Sequence, residues 1–543
     1  MKYINSKILG ILLAAGVLVT GCESYLEEEN YTSLTIETAK SNSETFDQLV
    51  AYVYEISRET TTHYTSDMYY SLEDLGTDIV TRGSAVSGTS DINDYVNFNS
   101  QNWNVSVYWT NEYGIIAAAN VAIDNAEEIL NLDEDVKAVG LGEAKFFRAM
   151  SYFNLVENFG GVPLVLNQVT TAETNYVRAS EQEVYTQIVA DLEDALAAVP
   201  SSPDAYGRVS KDAVRHLLSK VLLTRGYKSF GASTDFTQAA SLAETVISNH
   251  DLVGSFEDLV SIDNQRNSEV VFAYLFGSNS VSRGWGNSKH MMYKFRFFDY
   301  PGLSRTVKGL GPMPTPFYYS LFSDDDERAD ATFARVLYAT EDYEATVGGE
   351  TRYMTVGDTA MYFPKVAWTD AEKSAVPYKV INPDEYLTSD GVTTVHYPMF
   401  KKFDDPGVTF TQPDQESQGE RDMVVMRSGE AYLVAAEAYL ESSNSTKAAQ
   451  LLTELRSRAG LTAAVAAGDV TLDLILDERA RELTGEANRW LDLKRTGKLI
   501  ERTLAHNPHA ALNNALEAKH LLRPIPQTEI DNSGGTITQN TGY

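Results

Sequence analysis

Two polar stretches concentrate side chains suited to a ligand with a flat apolar face and a hydroxyl rim. The first holds Asp78, Arg82, Asn99, Trp103 and Asn104; the second, from Ser282 to Arg305, holds Trp285, Asn287, His290, Tyr293, Phe297, Phe298, Tyr300 and Arg305. A sugar ring presents C–H groups on one face and hydroxyls around its edge. Flat aromatics joined by planar hydrogen-bonding groups are therefore the residue types that would hold it. Trp285, which stands between glycines, is the first candidate and Trp103 the second, while Asp78 with Arg82 suits a pair of vicinal hydroxyls. Trp109 and Trp490 read as core, and Trp368 stays open.

Bond-breaking chemistry finds less support. The chain contains no G-x-S-x-G, H-E-x-x-H or G-x-x-x-x-G-K-[ST] pattern. Its eight histidines are scattered; His506 and His509, the closest pair, do not make a metal site by spacing alone. Gly309-Leu310-Gly311 lacks the third glycine of a dinucleotide loop, and Asp324-Asp325-Asp326-Glu327 lacks the glycine of a calcium loop, so it reads as a solvated turn. Among 76 acidic residues, two that are near in sequence say nothing about a hydrolytic pair. No cofactor and no metal are expected.

The single cysteine, Cys22, has no disulfide partner. Before it come Lys2 and Lys7, an uncharged apolar run from Ile8 to Val19, and the small residues Thr20 and Gly21, the three parts of an export signal. Twelve residues rise about 18 Å as a helix, short of a hydrocarbon core of about 30 Å. Val19-Thr20-Gly21-Cys22 also resembles a bacterial lipobox, in which the cysteine sulfur takes a diacylglyceryl group and becomes the new amino terminus. Residues 1–21 are then a lipoprotein signal peptide, and Cys22 is the lipid attachment site. At about 0.8 kcal/mol per buried CH₂, two or three acyl chains anchor a protein durably. The acidic Glu27-Glu28-Glu29 resembles the tract that sends some Gram-negative lipoproteins to the outer face of the outer membrane.

Removing Lys2 and Lys7 with the signal takes the formal charge from -32 to -34, which repels phosphate backbones and disfavours nucleic acid. A hydrophobic content of 43% with 22% charged residues belongs to a folded chain with a large core. Apolar residues recur at helical spacing from about 112 to 250 and again from about 428 to 503. Ser180-x-x-Glu183 has the form of a capping box, and Gly160-Gly161 before Pro163 ends another helix. Such helix pairs at irregular spacing are similar to tetratricopeptide repeats. Between them, about 255–425 is rich in Gly, Pro, Asp and aromatics, with short strands expected at Val270–Phe276 and Thr393–Phe400; about 60–107 is also loop-like. Long loops on a rigid scaffold are where binding resides.

Four segments carry a family resemblance. They are Cys22 with its acidic follower; Gly142-Glu143-Ala144-Lys145-Phe146-Phe147-Arg148-Ala149 running to Asn158-Phe159-Gly160-Gly161-Val162-Pro163-Leu164; Asp477-Glu478-Arg479-Ala480-Arg481-Glu482-Leu483 through Arg489-Trp490-Leu491-Asp492-Leu493-Lys494-Arg495; and Leu522-Arg523-Pro524-Ile525-Pro526 leading to Gln539-Asn540-Thr541-Gly542-Tyr543. In this order the chain resembles the SusD/RagB family of outer-membrane nutrient-binding lipoproteins. The resemblance implies a mainly α, SusD-like fold of tetratricopeptide-like repeats, one domain over 22–543, with a loop-rich ligand-binding region carrying a few short strands. It also implies capture of oligosaccharides, without catalysis, for a SusC-like TonB-dependent transporter. In that fold the two aromatic stretches lie near each other, which joins Trp285, Trp103, Asp78, Arg82, Asn287, Tyr293, Phe298 and Tyr300 as ligand-binding candidates. The mixed charges of Arg479 to Lys498 read instead as packing, a helix pair tied by Glu–Arg pairs. A peptide-binding RagB-type protein is the alternative, and a surface glycosidase or pure scaffold the more distant ones.

Overall fold

The computed structural model describes residues 40, 42–62, 71–83, 90–171, 173–279, 282, 284–294, 300–303, 312–392, 396–406, 418–486 and 488–543. Cys22 and Phe298 lie outside them.

Helix α1 (Glu44–Thr62) precedes the short strand β1 (Val80–Arg82), and four long helices follow: α2 (Trp103–Asn125), α3 (Glu134–Phe159), α4 (Glu181–Ala198) and α5 (Lys211–Gly226), then α6 (Asp235–Asn249). Their starts obey local chemistry. The Asn102 side chain accepts from Val105 N–H at α2, Asp133 caps α3, and Ser180 with Glu183 forms the reciprocal capping box of α4. Helix α3 stops at Gly160, whose φ of 73° suits glycine. A Cβ on the next residue, Gly161, would sit 2.1 Å from the Ala179 carbonyl oxygen, so the chain passes only because glycine is there. The sequence places the start of helix α2 near 112; it begins at Trp103, which moves Trp103 from loop onto helix.

The middle of the chain is a set of small sheets. Strand β2 (Val270–Tyr274) pairs antiparallel with β11 (Met423–Arg427), and β1 with β3 (Pro312–Pro314). Strands β4 (Phe333–Ala334) and β10 (Met399–Phe400) pair; β5 (Val336–Tyr338), β8 (Thr359–Tyr362) and β9 (Lys379–Val380) form a three-stranded sheet; β6 (Tyr343–Val347) and β7 (Glu350–Met354) form a hairpin. Of the strand expected at Thr393–Phe400, residues 396–400 are described, and only the last two, β10, are strand. Helices α7 (Ser428–Glu441), α8 (Ser445–Arg458), α9 (Leu472–Leu483), α10 (Arg489–Arg495) and α11 (Leu499–His506) complete the frame.

One large core runs through α1–α8. Small residues let helices close on it: Ala431, Ala435 and Ala438 of α7 and Leu451, Leu452 and Leu455 of α8 are buried together. Phe146 and Phe147 of α3 meet Phe272 of β2 edge-on at 5.7 and 6.1 Å, fastening the middle sheet to the helices. Each such contact adds about 0.5–1.5 kcal/mol beyond area burial. A separate small core, with Met313, Met361, Phe363 and Tyr397, holds the middle region together. No helix among the described residues is long and apolar enough to cross a membrane.

Segments far apart in sequence meet at the end of α3. The Asn540 side-chain amide donates to the carbonyls of Phe159 (3.0 Å) and Arg523 (2.8 Å), and Arg523 Nε donates to Asn158 Oδ1 (2.8 Å) with its guanidinium 4.3 Å over the Trp490 ring. Trp490 is accordingly core.

Buried carboxylates are held by cations. Burial alone would raise the pKa of Glu157, but Lys494 and Lys228 bring it down to about 2; Arg427 and Lys402 do the same for Glu486, also about 2. A carboxylate depressed on folding contributes stability that is complete above its unfolded value and lost as pH falls through the folded one. From these two groups, the thermal midpoint is expected to drop steeply between about pH 4.5 and 2. Unfolding followed by circular dichroism across that range checks this, and a midpoint that rises on acidification would contradict it.

Candidate ligand-binding face

Helices α1 and α2 run antiparallel. Leu130 N–H donates to the Lys40 carbonyl at one end, and Ile56 packs at Gly114 toward the other. Trp103 is the first residue of α2 at that second end, and its side chain is 60% exposed. The Trp285 loop reaches α1 on the same side: a Cβ on Gly284 would lie 2.5 Å from the Glu59 carboxylate. Trp285 is 61% exposed. Both neighbours have positive φ, 57° at Gly284 and 79° at Gly286, and a Cβ on Gly286 would meet Gln418 Cα at 2.3 Å. The two glycines thus let the turn reverse tightly against the neighbouring strand while its indole faces outward.

Asn287 belongs to the anchor of this turn. It pairs with Gly419 through backbone bonds of 2.9 and 3.2 Å, its side-chain amide donates to the Arg421 carbonyl at 2.9 Å, and its Oδ1 accepts from Lys289 N–H. With 3% exposure it holds the loop and does not face solvent. That corrects its expected place as a ligand contact.

Asp78 and Tyr293 need the same correction. The Asp78 carboxylate is buried between Arg489 (2.7 Å) and Arg502 (2.8 Å), both from the C-terminal helices. Burial would raise its pKa, yet the two guanidinium groups outweigh that and hold it below its ordinary value. Tyr293 is fully buried, donates its hydroxyl to Asp74, and stacks on Phe400 with ring centroids 4.3 Å apart. Both groups are structural, because neither reaches a surface on which a sugar could lie.

Arg82 occupies an intermediate position. Its Nε is bonded to both oxygens of Asp94 at 3.0 and 3.2 Å, so its guanidinium is already engaged by a carboxylate. Tyr300 sits edge-on to His396 at 4.7 Å and packs against the small middle core. Trp109 is buried against Phe159 at 5.0 Å, as core. Trp368 is half-buried and edge-on to Tyr362, with its backbone bonded to Asn382. Among the described members of the expected set, the structure therefore leaves Trp103 and Trp285 as the large exposed aromatic surfaces, toward one end of the α1–α2 pair.

The described residues contain no group of three His, Cys, Asp or Glu side chains placed to hold a metal ion. In the stretch from Arg479 to Lys498, Glu482 is buried against Arg427 and Arg458, and Asp492 against Arg479 and Arg495, the packing role expected of that stretch; Glu478 and Arg328, outside it, join the same buried cluster.

The architecture is a scaffold of packed helices with small sheets in the middle of the chain. The SusD family matches residues 268–543, and a family described as starch-binding and associating with the outer membrane matches residues 24–223. This chain belongs to the SusD family. It is similar to SusD-like protein P2 of Formosa agariphila, with 28% identity over 452 residues covering 81% of each chain, and to SusD-like protein P25 of the same organism, with 24% identity covering 94% of this chain and 93% of that one. Among solved structures, a laminarin-binding SusD-like protein superposes with a TM-score of 0.68 at 25% identity, covering 93% of this chain and all of that one. A SusD homolog from Bacteroides thetaiotaomicron superposes with a TM-score of 0.72 at 22% identity, covering 94% and 99%, and shares the fold.

Proposed function

We propose that this protein captures oligosaccharides at the cell surface and passes them, unaltered, to a SusC-like TonB-dependent transporter in the outer membrane. The observation that carries the reading is the pair of exposed tryptophans, Trp103 and Trp285, held by rigid elements at one end of the scaffold. An exposed indole offers a flat apolar face on which a sugar ring can stack. The match of residues 24–223 to a family described as starch-binding, and similarity to a laminarin-binding protein, support a carbohydrate as the ligand. Cys22, lipidated after removal of residues 1–21, tethers the body to the membrane, and tethering lets weak intrinsic affinity suffice.

The test is calorimetric titration of the chain beginning at Glu23 against neutral, acidic and sulfated oligosaccharides and a peptide mixture, with product analysis after each titration. Saturable binding of one glycan class, with every saccharide recovered intact, is the expected result. Heat from peptides alone would move the protein to the peptide-importing branch, and shortened saccharides would make it a hydrolase.

A further inference from the structure

A second cleft, of about 290 Å³, opens in the middle region between the segment 316–323 and the turn at Pro383, and its lining combines rings with cations. Tyr319, Phe322 and Tyr386 supply the rings, and Arg335 and Lys365 the charge. Arg335 Nε is buried with no hydrogen-bond partner. Its Nη1 reaches the Phe363 carbonyl at a long 3.5 Å, the guanidinium stands 5.8 Å from the Phe333 ring, and it also engages the Tyr386 side chain. It enters no ion pair with any described carboxylate. Lys365 is little better engaged: its ammonium lies 3.8 Å from Asp330 and 4.0 Å from Asp324, whose side chains are 73% and 95% exposed. Exposed pairs at such distances contribute almost nothing.

With 76 acidic residues to 44 basic ones, carboxylates outnumber cations; the buried guanidiniums of Arg328, Arg427, Arg458 and Arg495 are each held by carboxylates, and Arg421 and Arg523 are held by carbonyl and amide oxygens. An arginine with no ion pair to a described carboxylate, lining an open cleft with a loosely held lysine, is not serving as a structural ion pair. A guanidinium presents its N–H groups as a planar fork that matches the oxygens of a carboxylate or sulfate. The Tyr386 hydroxyl lies beside it; burial pushes that group up to about 12 and the Arg335 charge opposes the shift.

We infer that this cleft is a binding subsite for an acidic saccharide unit, its carboxylate or sulfate taken by Arg335 and Lys365 and its ring laid against Tyr319, Phe322 and Tyr386. The volume suits a sugar unit and exceeds what a bare inorganic anion needs. The subsite selects charge, whereas the tryptophan face selects ring shape. Asp324, which also lines the cleft, opposes an anionic ligand and competes for Lys365.

The inference deepens the glycan-capture reading and rests on it, so the experiment separates the two. The chain from Glu23 is titrated with matched neutral, uronate-bearing and sulfated trisaccharides, and with inorganic sulfate, for the wild type and for Arg335→Gln, Lys365→Gln, Asp324→Asn and Trp285→Ala. Lys365 and Asp324 are surface residues, so their variants test the site even if Arg335→Gln folds poorly. For an acidic trisaccharide the expected affinity falls about tenfold in Arg335→Gln and about threefold in Lys365→Gln, rises about twofold in Asp324→Asn, and declines with added salt. Neutral trisaccharides bind these three variants as they do the wild type. Whether the uronate or the sulfated arm responds identifies the group recognised. An acidic trisaccharide that binds every cleft variant as tightly as it binds the wild type overturns the inference and leaves capture at Trp285 standing, and a response from inorganic sulfate alone overturns it as well. Loss of acidic-sugar binding in the cleft variants, with Trp285→Ala unchanged, upholds the inference and removes Trp285 from the capture site.

Discussion

Glu482→Gln is expected to lower the stability of the fold by about 3–5 kcal/mol, the cost of removing one partner from a buried ionic cluster. The Glu482 carboxylate is fully buried and meets three guanidiniums: Arg427 at 2.7 Å, Arg328 at 3.1 Å and Arg458. Glutamine keeps the shape but turns one acceptor into a donor, which then faces an N–H group. The remaining carboxylates soften the loss, because Arg328 keeps Asp326 and Glu478 while Arg427 keeps Glu486 and Glu269. Position within the fold makes the damage local at first. Arg328 belongs to the loop-rich middle, Arg458 ends α8, and Arg427 ends β11, so Glu482 of α9 is the point at which the middle region is fastened to the helices. Thermal unfolding should show a lower midpoint, and limited proteolysis should cut near 320–335 sooner than in the wild type. A midpoint within about 1 °C of wild type would mean that the cluster contributes little beyond packing.

How much of this was legible beforehand follows from what each element needs. Helices α4 and α5 are read from the sequence because their signals are local: a capping box at Ser180, serine before Lys211, and apolar residues at helical spacing. Helix α1 carries no comparable stop signal and was not anticipated. The start of α2 was placed late because its cap, Asn102, is hidden in a polar run. Strands of two to five residues, such as β4, β5 and β9, are too short for alternation to register, so 255–425 read as loop with two strands. The family resemblance was readable because its four segments are long and ordered, and three of them meet around Asn158, Trp490, Arg523 and Asn540.

The candidate site was legible in its aromatics and misleading in its charges. Exposure of Trp285 follows from its flanking glycines, a local feature. Whether a charged residue faces solvent depends on its partner, and the partner of Asp78 is 411 residues away at Arg489. Composition shows that Asp78 and Arg82 are near in sequence; it does not show that one is sealed by two arginines and the other held by Asp94. The same limit hid Arg335 and Lys365, whose significance lies in the cleft that they line together.

The largest functional effect is expected from the tryptophan face. Trp285→Ala should weaken binding of a captured oligosaccharide about thirtyfold, since truncating a central aromatic anchor costs about 2 kcal/mol or more. Trp103→Ala should cost less, because Trp103 sits on the first turn of α2 and contributes one face without a clasping loop. Neither substitution should change the unfolding midpoint by more than about 2 °C, because both side chains are more than half exposed and bury little apolar area. The double variant carries the sharper information. If the two indoles hold successive rings of one chain, their effects multiply, and the double variant binds a long oligosaccharide no better than a monosaccharide. If they serve separate sites, the double variant on a short ligand is no worse than Trp285→Ala alone. Unaltered binding in Trp285→Ala, with the fold intact, would place the ligand elsewhere and leave the exposed indole to be explained by contact with a protein partner.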